Sequence, residues 1–170
     1  MPKFEIELDS LDIEVTVLVG DKEHHFNAKD ELFIDKNDIN GGYIDQPGKY
    51  AWWGTLTEVA REKMENAKAD MEQEEFHADI RAREELDLDG IKITEGLVTR
   101  KVKCDREYKK KQSRYIKATK QFKLLDKIMK AFDNRMEALI SLGAMVRKEN
   151  DNVELTMKKE MAKKIIKKNN

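Results

Sequence analysis

Lys103, Arg106, Lys110, Arg114 and Lys117, continued by Lys120, Lys123, Lys127 and Lys130, follow one another at steps of three or four residues. On an α-helix that spacing puts them on one face, as a ladder of cations about 5 Å apart. Such a ladder suits the phosphates of a nucleic-acid strand, with binding that weakens steeply in salt. The competing reading is a solvated helix face that pairs with acidic neighbours. Tyr108 and Tyr115 lie among the cations, and Tyr50, Trp52 and Trp53 stand together in KYAWWG. Aromatic rings beside cations can stack on the bases of a single strand, although rings at helical spacing more often anchor a core or an interface.

A second basic step, Arg81-Ala82-Arg83, sits in an acidic neighbourhood running from Glu72 to Asp89. Alternate residues of a helix point about 200° apart, so both arginines reach one ligand only near a frayed end or a loop mouth. Pairing with Glu84, Glu85 or His77 is the local alternative. Residues for catalysis are sparse. His24 and His25 are adjacent and point to opposite faces of a strand, which spoils them as a metal pair, and neither Cys-x-x-Cys nor His-Glu-x-x-His occurs. Gly41-Gly42 lacks the Lys-Ser/Thr of a phosphate loop, and Cys104 has no nearby histidine in sequence to act as base. The chain reads as a non-enzyme with no cofactor and no metal site.

The elements that must position these residues are mostly helical. Charged residues are 39% of the 170 while Gly and Pro together number ten, a balance of long solvent-exposed helices rather than of a large core. Residues 1–45 read as a small β-rich element: Phe4, Ile6 and Leu8 share one face, Ile13, Val15, Val17 and Val19 another, with a turn at Gly20-Asp21. The stretch NDINGGYIDQPGK, 37–49, reads as a break, with Pro47 in the first turn of a helix that runs to about Leu86. Asp89-Gly90 supplies a turn, Thr94 an N-cap and Asp105 a second one. Residues 94–149 are therefore one helix, or a short one followed by a long one.

Along it Tyr108, Tyr115, Phe122, Leu125, Met129, Phe132, Met136, Leu139, Gly143 and Val146 recur at helical spacing, and a second seam of Leu124, Ile128, Ala131, Ala138, Leu142 and Met145 runs beside them. Two seams imply two neighbours, so Phe122, Leu125, Met129, Phe132, Met136, Leu139 and Leu142 are expected at an interface between copies. The expected class is mainly α, with long helices in a hairpin or bundle that oligomerises and a small N-terminal β-rich element. Residues 46–149 form the oligomerisation and nucleic-acid-binding domain, and 150–170 a lysine-rich tail, flexible or marginally helical.

Net charge is only −1, yet residues 1–89 carry −14 and residues 90–130 carry +10. That asymmetry points to an anionic partner, or to the acidic part of a neighbouring copy. No run approaches the roughly 20 apolar residues that span a bilayer, and MPKFEIELDS lacks the regions of a signal peptide. A single cysteine agrees with a reducing compartment. The expectation is a soluble cytoplasmic protein with no membrane partner.

The order of these pieces resembles the UvsY recombination mediators of bacteriophages over about residues 50–149. The likeness rests on Arg81-Ala82-Arg83, on the Val-x-x-Asp step from Val102 to Asp105 within GLVTRKVKCD, and on ALISLGAMVRK, 138–148. What the resemblance implies is a small helical protein that assembles into a ring and binds single-stranded DNA. It would help a RecA-like recombinase displace single-strand DNA-binding protein. It also implies that Arg81 and Arg83 contact DNA, that the final helix oligomerises and that no enzymatic activity is present. The N-terminal strands and the lysine tail lie outside the likeness. Bottom-up and by resemblance, the expected nucleic-acid-binding residues are Arg81, Arg83, Lys103, Arg106, Lys110, Arg114 and Lys117. The rival expectation is a coiled-coil assembly protein whose basic face pairs with the acidic first helix of a neighbour.

Overall fold

Alternation of β-branched and polar residues favours extended chain at the N-terminus, where side chains of one strand point to opposite faces in turn. The structure is a computed structural model and describes residues 4–5, 14–19 and 22–168. Three strands form one antiparallel sheet in the order β1 (Phe4–Glu5), β2 (Glu14–Val19), β3 (Lys22–Asn27). Val15 stands opposite Phe26, Val19 opposite Lys22 and Phe4 opposite Val17. The expected hairpin is thus present, with a two-residue connection; Gly20 and Asp21, like the expected faces of Ile6, Leu8 and Ile13, lie outside the described residues. Val15 is fully buried. The Asn27 side chain accepts from the Lys29 and Asp30 amides at 2.9 and 3.4 Å, so the strand turns directly into the short helix α1 (Ala28–Leu32).

The fold is mainly α, carried by α2 (Ile39–Leu88), α3 (Glu95–Cys104) and α4 (Arg106–Lys168). The expected break at 37–49 is corrected. Helix α2 starts eight residues before Pro47, because the Asp38 carboxylate accepts from the Gly41 amide at 2.9 Å and so caps it. Pro47 forfeits one backbone hydrogen bond inside the helix, which continues through it. The boundary placed after residue 45 therefore falls within α2. The tail is also helical as far as Lys168, so the boundary at 149 does not mark a change of secondary structure.

At its other end α2 stops in a left-handed cap. Gly90 has φ +63°, its amide donates to the Asp87 carbonyl at 3.0 Å, and the Ile91 amide donates to the Leu86 carbonyl at 2.9 Å. Those two bonds satisfy carbonyls the helix leaves open, and only a residue without Cβ takes that φ without strain. Thr94 does occupy the N-cap of α3, but its hydroxyl makes no capping bond. Asp105 separates α3 from α4, so the second of the two sequence readings holds.

By internal packing the chain forms two units, Met1–Tyr50 with Lys130–Asn170, and Ala51–Met129. In the first, Tyr43 donates to the Leu139 carbonyl at 2.7 Å and Gln46 Nε2 to the Phe132 carbonyl at 2.9 Å, so the start of α2 lies antiparallel on α4. In the second, Lys111 meets Asp70 at 2.9 Å and Arg61 sits 5.4 Å from the centre of the Phe122 ring, again an antiparallel pairing. The buried residues there include Trp53, Leu56, Ala60, Leu125 and Ile128. Among the described residues no helix is long and apolar enough to cross a membrane.

Candidate nucleic-acid interface

Within residues 51–129 the candidate cations fall into two groups with different surroundings. The first is built on a small core in which Ala78, Ala82 and Leu86 of α2 meet Val98 and Val102 of α3 and Tyr108 of α4. Successive i, i+4 positions make each stripe continuous, and alanine lets the helices approach closely. Ala82 is buried, so Arg81 and Arg83 emerge on either side of the seam. Arg81 reaches Glu74 at 2.7 Å and Asp105, at the C-terminal end of α3, at 2.9 Å. Arg83 reaches Asp79 at 2.7 Å and Glu95, in the first turn of α3, at 2.9 Å. Lys101 closes on Glu85 at 2.7 Å between them.

The two arginines thus do not converge on one point. They tie opposite ends of α3 to α2, and their acidic partners differ from the Glu84, Glu85 and His77 anticipated from sequence. The hydrogen bonds that Arg81 donates to Glu74 and then to Asp105 hold its guanidinium above its ordinary pKa. The Asp105 carboxyl is held below the usual range, first by the Tyr108 amide and then by Arg81. A cleft of about 270 Å³ beside this clamp is lined by Arg81, Glu85, Lys101, Cys104 and Asp105 among others. Its two cations are matched by two carboxylates, so it offers an anion no net attraction.

The second group runs along α3 and α4. Lys103, Arg106, Lys117, Lys120, Lys123 and Lys127 are all exposed and make no ion pair among the described residues. Among the described residues Lys110 meets only Glu107 of its own helix, at 3.6 Å, and Arg114 approaches Asp70 at 4.0 Å. Lys111, which the sequence reading left out, is the cation that Asp70 holds at 2.9 Å. The bond and charge of Lys111 depress the Asp70 pKa. Helix packing explains this division. Tyr108, Ala118, Leu125 and Ile128 turn inward, Lys111 flanks that face, and the lysines opposite are left in solvent.

No family model, curated protein or solved structure matches this chain. The aromatic candidates divide as well. Trp53 is buried, Tyr108 nearly so, Tyr115 half-buried and Trp52 exposed. In the other unit Tyr50 is exposed, and a hydrogen bond to Asp133 raises its pKa. His25 Nδ1 and Thr16 Oγ1 are hydrogen-bonded at 3.1 Å across the hairpin. Among the described residues no group of three or more His, Cys, Asp or Glu side chains is arranged to hold a metal ion.

The residues expected between copies are largely used inside the chain. Leu125 in one unit, and Phe132 and Leu139 in the other, are each 0% exposed. Phe122 carries Arg61 over its ring, and Met129 Cε lies near Gly54. Met136 is exposed and Leu142 half-buried. A charge placed at Leu125 or Leu139 would strike the chain's own core before any interface.

Arg135 escaped the sequence reading. It is 6% exposed, and its acceptors are all uncharged: the Phe33 and Gly42 carbonyls at 3.2 and 3.5 Å, and Gln46 Oε1. Its Nε has no hydrogen-bond partner among the described residues. The signal was present, since Arg135 stands between Phe132 and Leu139 at core spacing.

Proposed function

We propose that this chain is a single-stranded DNA-binding recombination mediator, acting as a homo-oligomer that helps load a RecA-like recombinase onto strands covered by single-strand DNA-binding protein. The observation that carries the reading is the row of exposed cations on α4 left without carboxylate partners among the described residues. Arg106 to Lys127 spans about 30 Å at the ~1.5 Å rise of an α-helix, enough for several successive phosphates of one strand. Lysine ammonium groups would displace the counterions of the strand, which gives affinity without reading bases. The recombinase, the single-strand DNA-binding protein and the host-cell cytoplasm as setting enter through the UvsY resemblance. The work is organisation of a strand, and several subunits would multiply weak contacts through effective concentration.

One observation favours the rival, a coiled-coil assembly protein without nucleic-acid binding. Asp70 of α2 already draws in Lys111 and Arg114, so acids of this chain neutralise part of the stripe. Fluorescence anisotropy with a labelled single strand and its duplex, titrated across salt, separates the two. The mediator reading expects tighter, salt-sensitive binding to the single strand. No binding at low salt overturns it in favour of the rival.

A further inference from the structure

Folding decides which part of the basic stretch looks outward. Ala118 and Leu125 are buried, and at about 100° per residue the positions two before and two after each of them point away from the core. Those positions are Ile116 and Lys120, then Lys123 and Lys127, and Lys109 lies seven residues before Ile116 on the same stripe. All four lysines are exposed and make no ion pair among the described residues. No acidic residue stands between Glu107 and Asp126, and both of those lie off the stripe. Arg106, Lys110 and Arg114 instead drift toward the α2 side, where Arg114 approaches Asp70.

Ile116 is out of keeping with its surroundings. It is 48% exposed, and among the described residues no other large apolar side chain between Arg106 and Arg135 is exposed. At an exposed position isoleucine is a poorer helix former than the lysines and glutamines around it, so the helix gains nothing from it. Lys109 and Lys123 stand seven residues to either side, about 10 Å along the axis, and Lys120 is one turn away. An apolar surface rimmed by cations and free of acids matches a ligand that is anionic and apolar at once. A single apolar side chain is too little for a lipid surface, which takes a whole apolar helix face. An unstacked strand fits, because its bases bare the flat faces that a duplex keeps inside its stack. The rings expected from sequence to make that contact on α4 are withdrawn by folding, Tyr108 buried and Tyr115 half-buried.

We propose that Ile116 is the residue through which this face tells a single strand from a duplex, packing against bared bases while Lys109, Lys120, Lys123 and Lys127 hold the phosphates on either side. This role rests on the strand-binding reading above. It adds a contact with bases, and it brings in Lys109 and Ile116, which the expected site left out.

Fluorescence anisotropy of the full chain tests it with three labelled probes: an oligothymidine, the same length of strand made abasic, and a duplex. Ile116→Ala should weaken binding of the oligothymidine about three- to tenfold. Binding of the abasic strand and of the duplex should not change, nor should the salt slope, since no charge is altered. Ile116→Phe should bind the oligothymidine at least as tightly as the native chain, because a ring stacks better on a base. Alanine suits a helix better than isoleucine, so thermal unfolding and sedimentation of Ile116→Ala should match the native chain. Unchanged oligothymidine affinity in Ile116→Ala overturns the proposal and leaves the strand-binding reading standing. An equal loss on the abasic strand overturns it too, since bases are then not what Ile116 touches. A smaller sedimenting mass in Ile116→Ala overturns it in favour of a contact between copies. A native chain that binds none of the probes overturns the strand-binding reading itself, and this proposal with it, before any variant is compared.

Discussion

Asp105 serves three neighbours at once. It ends α3, accepts the Tyr108 amide at 2.9 Å to start α4, and accepts from Arg81. Asparagine caps helices about as well as aspartate, whereas alanine costs roughly 0.5–2 kcal/mol. Asp105→Asn should therefore lose only the charge with Arg81, and Asp105→Ala the cap as well. Because the folded pKa of Asp105 is depressed, its stabilisation is complete above the ordinary carboxylate pKa of about 3.9 and is lost as pH falls through the lower folded value. Urea unfolding at pH 7 and at pH 3 checks the sign: the gap between the native chain and Asp105→Asn should narrow in acid, and a gap of equal size at both would mean the charge contributes nothing. Arg81 and Arg83 invite a companion experiment. Replacing both with Ala should raise amide exchange in α3, the element that the two ion pairs hold to α2. If phosphates compete for the same guanidinium groups, strand affinity falls too. Unchanged affinity would confine both residues to holding α3.

The elements show which sequence signals carry structural meaning and which mislead. Period-two alternation located β2 and β3, and Asp105 and Asp89-Gly90 marked real ends because each makes its bond with its own neighbours. Gly41-Gly42 misled, because a glycine pair reads as a turn when its use is set by a helix about a hundred residues away. A Cβ on Gly42 would lie 2.8 Å from Leu139 Cδ2, which is fully buried and has nowhere to move. The acids that hold Arg81 and Arg83 were equally hidden, since Asp105 and Glu95 lie 24 and 12 residues away in sequence. Identical substitutions should then act in opposite directions. Gly48 lies in the same helix with nothing within 4 Å of an added Cβ, so Gly48→Ala should gain about 0.5–1 kcal/mol from helix propensity alone. Gly42→Ala should lose about 1–3 kcal/mol through overpacking. Thermal unfolding of the two variants decides it, and two shifts of the same sign would refute the close approach. Gln46 offers a second check. It gives a buried arginine one of its few acceptors, and Gln46→Leu should cost about 1.5–3 kcal/mol, the usual loss of a hydrogen bond to a charged group.

For the whole molecule, an acidic N-terminal half and a basic stretch at 90–130 largely cancel in net charge while leaving opposite fields along the chain. What matters for a polyanion is which cations remain uncommitted after folding. Folding withdraws Arg81, Arg83, Lys101 and Lys111 into ion pairs and leaves Lys117, Lys120 and Lys123 in solvent. Counting sequence charge alone would rank these groups equally, whereas the folded chain predicts unequal effects on binding. Each phosphate neutralised on a single strand contributes about −0.7 to the slope of log K against log salt. Changing Lys117, Lys120 and Lys123 to Gln should therefore flatten that slope by about 2 while leaving the fold intact, since all three are exposed. Lys111→Gln should flatten it far less, because its charge is already spent on Asp70. Equal flattening by the single Lys111 change and by the triple change would show that the strand reorganises the ion pairs on binding. No flattening by the triple change would move the DNA surface off this face of α4.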